Sequence, residues 1–139
     1  METLMCNTPV GTVKIVSEGS NVYSLEFVYA VVKDEIPVWL DNYFKNKEID
    51  INCIQTGTHF QQQVWEEIAK IPWGQTRTYS DIAMSLGKPK AYRAVANACG
   101  KNKICLLVPC HRVVSKHGIG GYSSGVDIKK RLLTLEQKL

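Results

Sequence analysis

Thr78-Tyr79-Ser80-Asp81-Ile82-Ala83-Met84-Ser85-Leu86-Gly87-Lys88-Pro89-Lys90-Ala91-Tyr92-Arg93-Ala94-Val95-Ala96-Asn97-Ala98-Cys99-Gly100 is the stretch whose reading decides the fold. Thr78 with an acid three residues on is a helix start, and Ile82, Ala83 and Leu86 give that helix one apolar face. Gly87-Lys88-Pro89-Lys90 breaks the chain. A second helix is predicted from about Ala91 to Cys99, burying Val95, Ala98 and Cys99, with Gly100 placed to end it. Two short helices joined by a four-residue Gly/Pro turn match a helix-turn-helix, with residues 91–99 as its recognition helix. The same shape occurs in proteins that never touch DNA, so the composition of the second helix matters. Ala91, Ala94, Ala96 and Ala98 make it thin. Thinness suits close approach to a narrow groove, whereas base reading in the major groove calls for several long polar side chains. Arg93, flanked by Tyr92, is the single long cationic side chain near its start. Alone it reads as a solvated arginine; on a thin helix in a basic segment it reads as a side chain inserted into a duplex.

Downstream lies Leu106-Leu107-Val108-Pro109-Cys110-His111-Arg112-Val113-Val114, two apolar runs of strand-like composition around a thiol, an imidazole and a guanidinium. Pro109 fixes its own φ and donates no backbone hydrogen bond, so it suits a bend at the end of an extended segment. Cys110 is then expected at the turn. Gly118, Gly120, Gly121 and Gly125, interrupted by Tyr122-Ser123-Ser124, permit a tight loop with backbone close to a ligand. The last helix, about Val126 to Leu139, places Ile128, Leu132 and Leu135 on one stripe, with Glu136 at its edge.

Upstream, Thr58 and Gln61 form a capping-box pattern for a helix that would bury Phe60, Val64, Trp65 and Ile68 and stop before Pro72. His59, at its start, has no partner at metal-ligand spacing and reads as exposed. Residues 8–28 read as a β-hairpin, with strands Val10 to Val16 and Val22 to Val28 around the turn residues 17–21. Pro37 to Phe44 suggests a short amphipathic helix, and Ile51 to Ile54 another strand. The expected fold is α+β: a small N-terminal sheet domain over residues 1–55, then a mainly helical, winged helix-turn-helix-like domain over residues 56–139.

Charge divides along the same line. Residues 1–69 hold four Lys/Arg against ten Asp/Glu, or −6, while residues 70–131 hold twelve against two, or +10. Such a basic segment is either a solvated face or a nucleic-acid footprint. No apolar run approaches the roughly 20 residues that cross a bilayer, and no signal peptide is visible. The expectation is a cytoplasmic, DNA-associated protein without membrane contact. Five cysteines lack CxxC spacing, so reduced thiols are expected and no structural metal site.

Cys110, His111 and Glu136 taken as nucleophile, base and orienting acid would convert a weak thiol into a thiolate near neutral pH. The same triad would serve a cysteine hydrolase. A DNA-binding helix just upstream places the electrophile in DNA instead, where a base must leave the stack to be reached and Arg93 can fill the gap.

Pro109-Cys110-His111-Arg112-Val113-Val114, with Gly87-Lys88-Pro89-Lys90-Ala91 and Arg93-Ala94-Val95, resembles the O6-alkylguanine-DNA alkyltransferases, or methylated-DNA–protein-cysteine methyltransferases. The resemblance runs from about Gly57 to Glu136, and the hairpin and the segment Leu40 to Phe44 resemble the family's N-terminal part. It implies irreversible, single-turnover transfer of an alkyl group from O6-alkylguanine, with O4-alkylthymine as a second substrate, after base flipping from the minor groove. Cys110 would accept the group, His111 would take the thiol proton through a water, and Glu136 would orient the imidazole. Asn102 would bridge the helix-turn-helix to the active-site stretch, and Tyr79 would donate a hydrogen bond to the departing guanine. Tyr122, Ser123, Ser124 and Val113 would form the substrate pocket. Arg93, Tyr92, Ala94, Lys90, Thr78, Lys101 and Arg112 would meet DNA. The implied partner is double-stranded DNA containing O6-alkylguanine, bound by a monomer with no obligate protein partner.

Three positions depart from the family pattern: Lys103 and Cys105 stand where prolines are common, and Ser124 where glycine is. The departures bear on substrate range. Two rivals remain from other classes. One is an alkyltransferase-like protein that binds damaged DNA without a nucleophile, against which Cys110 argues. The other is a small helix-turn-helix regulator whose Cys110 is a core thiol.

Overall fold

The computed structural model describes residues 1–32 and 34–137, which form two compact units. The first comprises residues 1–55 together with Lys103–Cys105. Its sheet contains strands β1 (Glu2–Thr8), β2 (Gly11–Glu18) and β3 (Asn21–Val28), which pair antiparallel in sequence order. The expected hairpin is therefore the second and third strands of a meander. The first strand escaped the sequence reading because Glu2–Thr8 carries little alternation, and only Cys6 of it is fully buried. Thr8 closes the first turn, its hydroxyl accepting from the backbone N–H groups of Val10 and Gly11 and donating to the Gly11 carbonyl. Helix α1 (Val38–Phe44) buries Leu40 and Phe44, four residues apart on one face. Strand β4 (Asn52–Cys53) then pairs parallel with β3. The period-2 pattern of β2 delivers Val13 and Ile15 to the core, and β3 adds Val22 and Leu25, three residues apart because the register between the strands shifts at Val16/Ser17; each is at most 2% exposed. Lys103–Cys105 lie with this sheet: Leu25 N donates to the Lys103 carbonyl, and Cys105 N to the Leu25 carbonyl, both at 2.9 Å.

The second unit begins with α2 (His59–Ala69), followed by β5 (Arg77–Thr78), α3 (Tyr79–Ser85) and α4 (Tyr92–Gly100). Both predicted capping boxes are formed, Thr58 with Gln61 and Thr78 with Asp81. Each satisfies backbone N–H groups that a helix start would otherwise leave open, which stabilises it by about 1 kcal/mol. Val64, Trp65 and Ile68 are buried as expected, whereas Phe60 is only partly covered and lies beneath the Lys88 ammonium at 5.2 Å. The Trp65 indole N–H donates to the Ala98 carbonyl at 2.9 Å, fixing α2 against α4. Gly87, at φ 70°, makes the left-handed turn that ends α3. Gly100 does not act that way: it is the last residue of α4, and Lys101 caps the helix in right-handed geometry.

Beyond α4 come a 3-10 turn (Cys110–Arg112), strand β6 (Val113–Val114), parallel to β5, and α5 (Val126–Gln137). The buried stripe of α5 is Lys129, Leu132 and Glu136 rather than Ile128, Leu132 and Leu135. The helix is thus turned so that two ionisable side chains face inward. The last two residues of the expected helix, 138 and 139, lie outside the described residues.

Candidate active site

Cys110 is held by a turn, not by a strand. Pro109 has φ −80° and ψ 62°, and Cys110 N donates to the Val108 carbonyl at 2.7 Å. This is an inverse γ-turn. The expected extended run before Pro109 is absent, because buried Leu106 takes a left-handed φ of 72° and bends the chain. Such a conformation costs a branched residue about 1–2 kcal/mol and persists only where packing imposes it. Asn102, itself buried, braces the turn through one amide nitrogen. Its Nδ2 donates to the Val108 carbonyl at 2.9 Å and to Cys110 Sγ at 3.3 Å. An N–H donor aimed at sulfur favours the ionised form over the thiol.

His111 follows, wholly buried, with Nε2 2.7 Å from Glu136 Oε2. A carboxylate there fixes the tautomer: Nε2 carries the proton and donates it, leaving Nδ1 as the basic nitrogen. Nδ1 is buried with no hydrogen-bond partner among the described residues. Arg112 forks onto the same carboxylate, Nε to Oε1 and Nη2 to Oε2, both at 2.9 Å. Its Nη1 donates to the Ile71 carbonyl at 2.8 Å, and its guanidinium packs 5.8 Å from the Trp73 ring centre. Burial alone would raise the Glu136 carboxyl, but the hydrogen bonds from His111 and Arg112 outweigh it and bring its pKa down to about 2. Burial pushes His111 down. Glu136 opposes that shift, while Arg112 and Lys129 add to it. The imidazole is therefore neutral near pH 7, the state a proton acceptor needs.

A cavity of about 320 Å³ opens beside the thiol, lined by Tyr79, Ala96, Cys99, Gly100, Cys110, Gly121, Tyr122 and Ser123. That volume is at the lower end of small-ligand sites. Tyr79 stands against Gly120, whose φ is 75°; a Cβ at that position would lie 2.7 Å from the phenol oxygen. Burial pushes the Tyr79 phenol up and Cys99 adds to this, while a hydrogen bond from the Gly121 backbone opposes it. Two thiols share the cavity wall, and burial drives Cys99 to about 12, offset only in part by Lys129. Cys99 stays protonated at neutral pH, which leaves Cys110 as the nucleophile candidate of the cavity. Among the described residues, no group of three or more His, Cys, Asp or Glu side chains could hold a metal ion.

Residues 59–138 match the family model of the 6-O-methylguanine DNA methyltransferase DNA-binding domain. A protein of Acanthamoeba polyphaga mimivirus named "Probable methylated-DNA–protein-cysteine methyltransferase" is 42% identical over 146 residues, covering 99% of this chain and 98% of the relative. The methylated-DNA–protein-cysteine methyltransferase of Methanosarcina barkeri is 39% identical over 147 residues, covering 94% of this chain and 93% of the relative. This chain belongs to the methylated-DNA–protein-cysteine methyltransferase family. The crystal structure of Mycobacterium tuberculosis OGT in complex with DNA is similar throughout, with a TM-score of 0.84, 35% identity, and coverage of 96% of this chain and 91% of that one.

For a methylated-DNA–protein-cysteine methyltransferase, the expected site residues fall into three groups. Asn102 is hydrogen-bonded to Cys110 and, from the next residue along, His111 to Glu136, with Tyr79, Tyr122 and Ser123 around the cavity that Cys110 lines. Tyr92, Arg93, Ala94, Lys90 and Lys101 are exposed, at or near the ends of α4, and Thr78 is occupied as the cap of α3. Three expectations are corrected. Arg112 is no DNA contact, because it is buried with its guanidinium committed to Glu136 and Ile71. Val113 is wholly buried, and its carbonyl accepts from Lys129 Nζ at 2.7 Å. Neither Val113 nor Ser124 lines the cavity. The sequence reading missed Lys129, although it stands three residues before Leu132 and seven before Glu136, the spacing of a single helix face.

Proposed function

We propose that this chain repairs DNA by moving the alkyl group of O6-alkylguanine onto Cys110, once per molecule. The observation that carries this reading is Cys110 at the wall of a cavity of about 320 Å³, its Sγ accepting from the Asn102 amide and the next residue, His111, held by Glu136 in the tautomer that leaves Nδ1 basic. The Cys110 proton passes to Nδ1 of His111 through a bridging water, and the thiolate attacks the saturated carbon. The carbon–oxygen bond breaks, its electron pair stays with guanine, the phenol of Tyr79 donates a hydrogen bond to the departing base, and the proton that the base takes from water is balanced by the one His111 returns to water. Electrostatic help at that oxygen-bound charge is where such a site gains most. The product is a thioether, which neither His111 nor water can readily cleave, so the protein acts stoichiometrically. O4-alkylthymine presents the same electrophilic carbon and is a second substrate.

The target base must leave the stack to enter the cavity. Arg93, exposed in the first turn of a thin α4, takes its place from the minor groove, and Tyr92 and Ala94 lie against the sugars. Lys90 and Lys101 meet phosphates, as does the start of α4, where Ala91 offers no side-chain cap to its N–H groups. The chain works on DNA as a cytoplasmic monomer, without a cofactor. Incubation with duplex DNA carrying an isotope-labelled methyl at guanine O6 tests the reading: the label is expected on Cys110 and absent from Cys110→Ser. Label on another cysteine, or none, refutes it.

A further inference from the structure

Lys129 is wholly buried, yet it meets no carboxylate among the described residues. Its ammonium donates to the Val113 carbonyl at 2.7 Å and to the Gly121 carbonyl at 2.9 Å, and it lies 6.0 Å from the centre of the Tyr79 ring. Val113 closes the 3-10 turn that Cys110 opens, its N–H donating to the Cys110 carbonyl. Gly121, like Cys110, lines the cavity. One buried cation thus ties the nucleophile's turn to the glycine loop that shares its cavity. Carbonyl dipoles alone do not offset the burial of a full charge.

The charges of the cluster show what does. Glu136 and Arg112 cancel through their bidentate pair, and His111 is neutral. Lys129 is left over. We propose that Lys129 is the counter-cation of the Cys110 thiolate, a positioning residue that makes the ionised sulfur the resting form of the site. This deepens the reading of Cys110 as alkyl acceptor and rests on it. The titratable and charged groups facing the pair are Tyr79 from α3, Cys99 from α4, His111 and Arg112 from the 3-10 turn, and Glu136 from α5. Burial lowers the Lys129 pKa, and Cys110 and then Cys99 act to raise it, so both thiols are within electrostatic reach of the ammonium. Cys99 stays protonated, and the anion falls to Cys110. Ionisation sends the thiol proton to solvent by way of His111 and leaves the buried cluster with no net charge. The later attack then consumes a thiolate that was already present.

Alkylation of Cys110 by iodoacetamide, followed against pH by peptide mass mapping without DNA, reads this directly and keeps the other cysteines separate. The wild-type midpoint is expected below the ordinary thiol value of about 8.5. Lys129→Gln keeps a donor for the carbonyls and removes the charge. It should move the midpoint up by about one pH unit or more, slow the reaction near neutrality about tenfold, and keep the high-pH plateau. Lys129→Arg should hold the low midpoint. A lowered plateau with an unmoved midpoint would mean a brace only and overturns the proposal. If Lys129→Gln does not fold, the wild-type curve decides, a midpoint at or above about 8.5 overturning it. Shifted iodoacetamide curves without methyl transfer from duplex DNA would remove the repair reading and leave the ion pair standing.

Discussion

Replacing Glu136 by glutamine strikes the point where hydrogen bonds of 2.7, 2.9 and 2.9 Å from His111 and Arg112, and a longer one of 3.4 Å from the Gly74 N–H, converge on one carboxylate that is 2% exposed. The amide keeps one acceptor oxygen and turns the other into a donor that faces Arg112 in either orientation, and His111 as well where it replaces Oε2. The Arg112 guanidinium is then buried without its anion. Removing one member of a buried pair costs about 3–5 kcal/mol, and the surviving acceptor returns about 1 kcal/mol, so about 2–4 kcal/mol of stability should be lost. With a urea slope of about 1–3 kcal/mol per molar, the unfolding midpoint should fall by on the order of 1–2 M. Tryptophan fluorescence in urea measures it. Adding Arg112→Met should recover part of the loss, because the stranded cation is gone, giving a coupling of about 2 kcal/mol in the double-mutant cycle. A Glu136→Gln loss under about 1 kcal/mol, or strictly additive effects, would refute the view that Arg112 and Glu136 act as a buried unit.

Acid should destabilise the protein in two stages. His111 is held below its ordinary value, so the unfolded chain binds its proton first and stability declines as pH falls below about 6.5; Glu136, held at about 2, adds a steeper loss below about 4.3. Urea unfolding that is unchanged between pH 7 and 5 would contradict the first stage. Gly120→Ala places a Cβ 2.7 Å from the Tyr79 oxygen at a φ of 75°; it should cost about 1–2 kcal/mol and slow methyl transfer, and unchanged transfer would show that Tyr79 needs no support there. Arg93→Ala should slow repair in duplex DNA far more than reaction with the free modified base, and equal losses would remove its role in the duplex. Duplex binding should weaken steeply with salt, whereas a flat salt dependence would count against the surface around α4.

Short-range signals were the most legible part of the sequence. Thr58 with Gln61 and Thr78 with Asp81 are local chemistry, and both capping boxes form where their spacing placed them. Cys110 and His111 stand out because thiol and imidazole are neighbours just downstream of a helix-turn-helix, and Glu136 because it falls at the edge of the apolar stripe of the last helix. What stayed hidden depends on tertiary context. Leu106 and Val108 have strand composition, yet a left-handed residue and an inverse γ-turn break the run. Arg112 counts as basic surface in the sequence, but the fold sends it inward to Glu136. Lys129 was passed over because a lysine among Lys130 and Arg131 reads as solvated. Only the rotation of α5 puts it inside, so the surface of the basic segment is less positive than its composition suggests.

Intact-mass spectrometry of the protein under excess O6-methylguanine duplex, followed by mapping of the peptide around position 110, tests the central claim most directly. One methyl per chain is predicted, carried by Cys110, with no further gain on longer incubation and none in Cys110→Ser. Repaired DNA in molar excess over protein, or an unchanged protein mass beside repaired DNA, would contradict it.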